Sequence, residues 1–228
     1  SACRNILALL LLFSLSSWGF YAHRLINENA IYCLPTELAR FYKKHAEAIR
    51  EKAIDADKRA YIDSAEGPKH FIDLDRYAEP LDSIPIHWSQ AIDKYPERMM
   101  RARGIVPWQV FLTYQRLVQA FISKNSAAII RHSADLGHYL ADAHVPLHST
   151  KNYNGQLTQQ IGIHGLWESR LPEMYATKYN LLVGKAFYVE DPLALAWQAV
   201  QESHSLVDSV LSIDKKVANS LAKASHKS

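Results

Sequence analysis

From Pro35 onward the apolar positions of this chain recur every three or four residues, and that spacing predicts helices. Leu38, Phe41, Tyr42, His45 and Ile49 share one face of a stretch that opens at Pro35-Thr36-Glu37 and runs to about Lys52. The same periodicity covers Trp88 to Arg101, Pro107 to Ser123, Ser126 to His144, Gly165 to Tyr179 and Pro192 to about Lys223. Pro107 and Pro192 stand where a first helical turn tolerates a missing N–H. No run of alternating apolar and polar residues is long enough to predict a sheet, so the chain reads as all-α. Lys151 to Gln160 is polar and turn-rich, which makes it a loop between two helices rather than a linker between domains.

The amino terminus has a different pattern. Residues 4 to 17 carry one arginine, an apolar run of roughly ten residues and then Ser16-Ser17, the layout of a secretory signal peptide. The run falls short of the ~18 to 20 residues that cross a bilayer. Residues 1–17 are therefore expected to be removed, leaving 18–228 as a single domain, secreted or periplasmic, with no stable membrane span. Cleavage would leave Cys33 as the only thiol. An exported chain with no intramolecular disulfide needs another brace, and bound metal is one.

Composition narrows the class further. With 228 residues, 48% of them hydrophobic, and only 8 Gly and 9 Pro, the chain can bury one sizeable core. A disordered chain or a disulfide-knot scaffold is excluded. The net charge of +3 is too small to demand a nucleic-acid partner. The 11 His are the unusual count, and they are patterned.

His138 and Asp142 are four apart on a predicted helix, so their side chains project from one face a turn apart. Pro146 then stops the helix and lets His148 fold back towards the same region. His164 and Glu168 repeat the four-residue interval. One such pair is usually a surface ion pair, but two flanking a third His point to a metal site. Imidazole and carboxylate ligands in sets of about four suit zinc. A phosphohydrolase of the adjacent His-Asp type is excluded because the chain has no such dipeptide, and a carboxylate-bridged di-iron bundle is excluded by the lack of paired Glu-x-x-His motifs. Upstream, His70 precedes Asp73 and Asp75, while Asp55 and Asp57 supply further carboxylates. His23 lies five residues after the expected new terminus at Trp18, whose freed amine and carbonyl can chelate a metal with it.

The ordered set Trp18-x4-His23, Asp57, His70-Phe71-x-Asp73, His138-x3-Asp142-x5-His148 and His164-x3-Glu168 resembles the zinc-dependent phospholipase C and S1/P1 nuclease superfamily, over residues 18 to about 175. The resemblance implies an all-α phospholipase C/P1 nuclease-like fold with three Zn²⁺ at the floor of a cleft and hydrolysis of phosphodiester bonds after export. It gives one zinc to Asp57, His70, His138 and Asp142, and a second to His148, His164 and Glu168. The third goes to the Trp18 amine and carbonyl with His23, Asp142 bridging. Asp57, Asp142 and Glu168 thereby become the catalytic carboxylates. Asp55, two residues from Asp57, remains an acceptable alternative on spacing.

Three zinc ions against three carboxylates leave an excess of about three positive charges, which draws a phosphate ester. A water bridging the first two ions would lose its proton near neutral pH and attack phosphorus in line, while the third ion neutralises the leaving oxygen. Phe71 and Asp73 are candidate substrate contacts, able to stack on and hydrogen-bond a nucleobase. Lys58, Arg59 and Arg76 are candidate phosphate contacts, and Tyr153 to Gln160 is a candidate cleft wall. Glu168, the 16-residue interval from His148 to His164 and the lack of disulfides lean towards a phospholipid substrate. The close Trp18-x4-His23 spacing is the nuclease pattern and leans towards single-stranded nucleic acid or nucleotides. The reading of another class is a non-catalytic helical binding protein braced by zinc. It is disfavoured because His148, His164 and Glu168 make only three ligands, and structural zinc normally closes its coordination with four.

Overall fold

The computed structural model describes residues 19–77 and 80–225; the expected signal peptide, residues 1–17, and the expected ligand Trp18 lie outside them. The described residues form helices and turns with no strand, and an isolated antiparallel bridge joins Ile72 to Gly104. The described residues begin with α1 (Phe20–Cys33), α2 (Thr36–Lys44), α3 (Ala46–Lys52) and α4 (Asp55–Ala60). After a run of short turns come α5 (Trp88–Lys94), α6 (Glu97–Arg103), α7 (Val106–Ile122) and α8 (Ser126–Ala143). A loop leads to α9 (Ile163–Gly165), a π-turn (Leu166–Arg170), α10 (Leu171–Tyr175), α11 (Pro192–Ser205) and α12 (Val207–Ser225).

The two long predicted helices from Pro107 and Ser126 are found within one residue at each end. Three predicted helices are each broken in two. The first divides at His45, whose φ of −114° and ψ of 15° leave the helical region. The second divides at Tyr95, because the ring of Pro96 forces the residue before it into extended backbone. The third divides at Leu206. The periodicity also failed to predict α1 and α4. The buried face of α1 is His23, Asn27 and Ile31, two polar groups out of three, so apolar spacing does not register it.

α8 is the centre of the molecule and packs against α1, α3, α4, α7 and α11. On one side Tyr139 and Ala143 join Val106, Trp108, Ala196, Trp197 and Val200 in the larger core. Trp108 and Trp197 meet edge to face at 5.0 Å, and both indole N–H groups donate to the Ile86 carbonyl, at 2.8 and 3.3 Å. Each ring is thus buried without leaving its polar edge unsatisfied. On the other side Ile129 and Ala134 pack with Ile31, Tyr42 and Ile49. The turn of α8 between the two cores carries His138 and Asp142, both fully enclosed.

Candidate metal centre

Backbone features set each ligand in place. Gly137 removes the side chain where α1 crosses α8, since a Cβ there would collide with Asn27 Oδ1. Asn27 Nδ2 donates to the His23 carbonyl at 3.0 Å. The close crossing stacks the His23 ring on that of His138, 3.9 Å between centroids. α4 supplies Asp57, and the 3₁₀ turn Gly67–Lys69 delivers His70. Pro146 opens the turn Pro146–Ser149 immediately after α8 and returns His148 to the site. The π-turn places Glu168 so that Oε2 lies 2.6 Å from His164 Nε2.

Asp142 is the hub. Its Oδ2 lies 2.9 Å from His70 Nδ1 and 3.3 Å from His138 Nε2; its Oδ1 lies 3.4 Å from His23 Nε2 and 3.5 Å from His148 Nδ1. Asp57 Oδ1 is 3.5 Å from His138 Nε2 and 3.7 Å from His70 Nδ1. Glu168 reaches His148 Nε2 and, through its other oxygen, His23 Nε2, each at 3.5 Å. Three sets of converging donors result: His23, His138 and Asp142; Asp57, His70 and His138; His148, His164 and Glu168. Each is a group able to hold a metal ion.

The tautomers support this convergence. His138 Nδ1 is 2.7 Å from the Ala53 carbonyl, and His148 Nδ1 is 2.9 Å from the His70 carbonyl. A carbonyl only accepts, so both Nδ1 atoms carry a hydrogen and both Nε2 atoms are left to face the cluster. Yet His138 Nε2 lies 3.0 Å from His70 Nδ1, and His148 Nε2 lies 3.0 Å from His164 Nε2. Ring nitrogens at that separation require a proton or a cation between them.

The charges favour a cation. Burial works against ionising Asp142, but the His138 and His148 imidazoles outweigh it and hold the carboxyl well below the usual range. Burial likewise opposes the charge on Glu168, and His148, with hydrogen bonds from His148, His164 and His23, holds it well below. Asp57 is instead pushed up, by burial first, with Asp142 adding to the rise. Burial disfavours the charged form of His148, but Glu168 and Asp142 raise it to about 9. His138 is also raised, Asp142 overcoming its burial. The carboxylates thus hold positive charge in the cluster, and a metal competes with protons for the same nitrogens.

The cluster forms the floor of a cleft of about 560 Å³, whose lining includes Asp57, His70, His148, His164 and Glu168. Phe71, Asp73, Arg76, Leu147, Lys151 and Tyr153 are among the residues of its walls, with Arg76 Nη1 3.2 Å from Asp73 Oδ2. Of the predicted substrate contacts, Phe71 and Asp73 therefore line the cleft, while Lys58 and Arg59 do not. Lys58 pairs with Asp55 Oδ1 at 3.4 Å on the surface. Arg59 is committed to Glu66, Asp135 and Tyr139, at 3.0 to 3.2 Å. Asp55 also pairs with Lys52 and faces none of the imidazoles, so Asp57 is the carboxylate of this segment that joins the site. Two supporting groups had no sequence signal. Glu66, 2% exposed, accepts from Tyr139, Arg59 and Lys69 beneath the turn that carries His70. His204 Nδ1 donates to the Ser149 carbonyl at 2.9 Å and props the turn that carries His148. No protein-family model, curated protein or solved structure matches the chain.

Proposed function

We propose that the protein is a secreted or periplasmic zinc-dependent phosphoesterase with a phospholipase C/P1 nuclease-like fold, holding three Zn²⁺ and hydrolysing phosphodiester bonds in phospholipids. The observation that carries the reading is Asp142, one buried carboxylate within 3.5 Å of imidazoles from four segments at the floor of an open cleft. The donors fit zinc by chemistry and spacing. Two nitrogens bound to one tetrahedral zinc at ~2.0–2.1 Å stand about 3.3 Å apart, close to the 3.0 Å between His138 and His70 and between His148 and His164.

Asp57, His70, His138 and Asp142 would hold one ion, His148, His164 and Glu168 a second, and His23 a third with the amine and carbonyl of Trp18. The third assignment is supported by how Gly19 packs against the cluster. Gly19, at φ 72°, donates its N–H to Ser169 Oγ at 2.7 Å and packs so closely that a Cβ would strike Glu168 and crowd the His23 ring.

Bound zinc supplies Lewis acidity towards a phosphoryl oxygen and a nucleophilic water at neutral pH. Asp57, Asp142 and Glu168 fix where that charge sits. Arg76 and Lys151 add positive charge at the cleft, and Phe71, Leu147 and Tyr153 give it apolar walls that restrict water. Those aromatics, with Asp73 on the same cleft lining, favour a second reading, an S1/P1-type nuclease stacking a base. A binding protein braced by zinc leaves the three-ligand set of His148, His164 and Glu168 without its fourth partner.

Hydrolysis of phosphatidylcholine, single-stranded DNA, RNA and 3′-nucleotides, measured side by side with and without a chelator, tests the reading. Chelator-sensitive turnover of phosphatidylcholine above the others is expected. Preference for the nucleic acids establishes the second reading, and no turnover of any ester by the zinc-loaded protein ends both.

A further inference from the structure

Between α10 and α11 the chain runs for eleven residues, 180–190, without regular structure. Its sequence, Asn180-Leu-Leu-Val-Gly-Lys-Ala-Phe-Tyr-Val-Glu190, is mostly apolar, yet it is not tucked into a core. Leu182 is 91% exposed, Val183 76%, Phe187 78% and Tyr188 87%. Gly184, at φ 90°, turns the strap, and Ala186 N–H ties it to the Cys33 carbonyl at 2.8 Å. Scattered exposed apolar side chains need no explanation, but four large ones on one short segment do.

The charges around the strap indicate what covers it. Between Glu173 and Glu190 the chain carries Lys178 and Lys185 and no acid. Both lysines are exposed, and Lys178 Nζ lies 5.3 Å from the centre of the Tyr175 ring. At the anchor, Tyr32 is exposed beneath Lys43 Nζ, and α2 adds Arg40 and Lys44 against Glu37. Leucine and phenylalanine flanked by tyrosine and lysine is the composition that settles at a bilayer interface, apolar tips among the acyl chains and cations at the headgroups. Self-pairing of two straps about Gly184 would bring the Lys185 side chains of the two copies together, an unfavourable like-charge contact.

We infer that the 180–190 strap docks the protein on an anionic phospholipid surface, with Leu182, Val183, Phe187 and Tyr188 inserted and Lys178 and Lys185 at the headgroups. The lipid there is a surface and not the substrate in the cleft, so binding is read without hydrolysis.

The test is co-sedimentation with vesicles of phosphatidylcholine alone and with about one-third phosphatidylserine, which supplies the anionic potential. It is run on chains with and without residues 1–17, so that the apolar amino terminus is read separately. Protein is expected to pellet with the mixed vesicles and to be released as salt rises. Leu182→Ser with Phe187→Ser should lower partition about tenfold or more. Lys178→Glu with Lys185→Glu should abolish the preference for phosphatidylserine. Unchanged circular dichroism and metal content show that each variant is folded, and the exposed lysine pair serves if the apolar pair is not. The inference is overturned if the wild type stays in the supernatant, if both variants pellet as it does, or if sedimentation velocity shows a dimer that the apolar pair dissolves while vesicles bind nothing.

Discussion

Asp55 and Asp57 show what a single position decides. Two residues apart on a helix, they point in nearly opposite directions, so only one can face the imidazoles of His70 and His138. That one is Asp57, while Asp55 lies between Lys52 and Lys58. Asp57→Asn should therefore lower bound zinc by one ion and activity by tenfold or more. Asp55→Asn should leave both unchanged, with stability within about 0.5 kcal/mol of wild type; elemental analysis with an activity assay checks the pair. Gly137 offers a case in which two effects have opposite signs. Helix propensity alone makes Gly137→Ala stabilising by about 1 kcal/mol. The new methyl group, however, meets the buried Asn27 side chain and pushes α1 from α8, and overpacking of this kind costs about 1–3 kcal/mol. The packing term wins, so thermal denaturation should show a net loss, accompanied by weaker metal retention as His23 leaves His138. The four-residue spacings of His138 with Asp142 and of His164 with Glu168 were legible in the sequence because a helix repeats its face at that interval. The choice between Asp55 and Asp57 was not, because it depends on how α4 is rotated against α8.

Spacing revealed α7 and α8 because their buried faces carry enough apolar side chains to register, Val106, Trp108, Val110 and Ala120 on α7 and Ile129, Ala134, Tyr139 and Ala143 beside His138 and Asp142 on α8. α1 stayed hidden because its inward positions are given over to the site and its support, His23 and Asn27. The breaks were hidden for a different reason: periodicity persists across His45 and Leu206, although the backbone does not. The turn before His70 was the least legible of all, since its support comes from a distance. Glu66 accepts from Tyr139 of α8, from Arg59 at 3.2 Å and from Lys69 at 2.5 Å, which ties α4 and α8 to the Gly67–Lys69 turn. Removing the acceptor takes away the partner of a buried phenol O–H and of Lys69, while Arg59 keeps Asp135 at 3.0 Å. Arg59 and Lys69 reach solvent and recover part of the loss. Glu66→Ala should therefore destabilise the protein by about 2–3 kcal/mol, read from urea unfolding, and Tyr139→Phe by about 1 kcal/mol. If the turn acts by positioning His70, Glu66→Ala should also release zinc at lower chelator concentration than Tyr139→Phe does.

On the scale of the whole molecule, the candidate metal ligands bring together segments far apart in sequence. Cys33 is a free thiol, and the ligands span His23 to Glu168, drawing α1, α4, the His70 turn, α8, the His148 turn and α9 to one point. An ion that binds only this assembled state stabilises it by about 4 kcal/mol at a thousandfold excess over its Kd. For a chain of this length ~1 kcal/mol moves Tm by about 2–4 °C, so chelation should lower Tm by on the order of 10 °C per ion lost. An undiminished Tm with no metal bound would end the zinc proposal. The proposed third ion has a sharper test, because the amine proposed to bind it would exist only after cleavage. A chain beginning at Trp18 should hold close to three zinc ions. One with residues left ahead of Trp18 should hold close to two, because an amide nitrogen carries no free lone pair for the metal. The same extension should slow ester hydrolysis while leaving the His148, His164 and Glu168 set filled. Equal zinc content and equal rates in the two forms would remove Trp18 and its terminus from the centre, leaving His23 as a support stacked on His138.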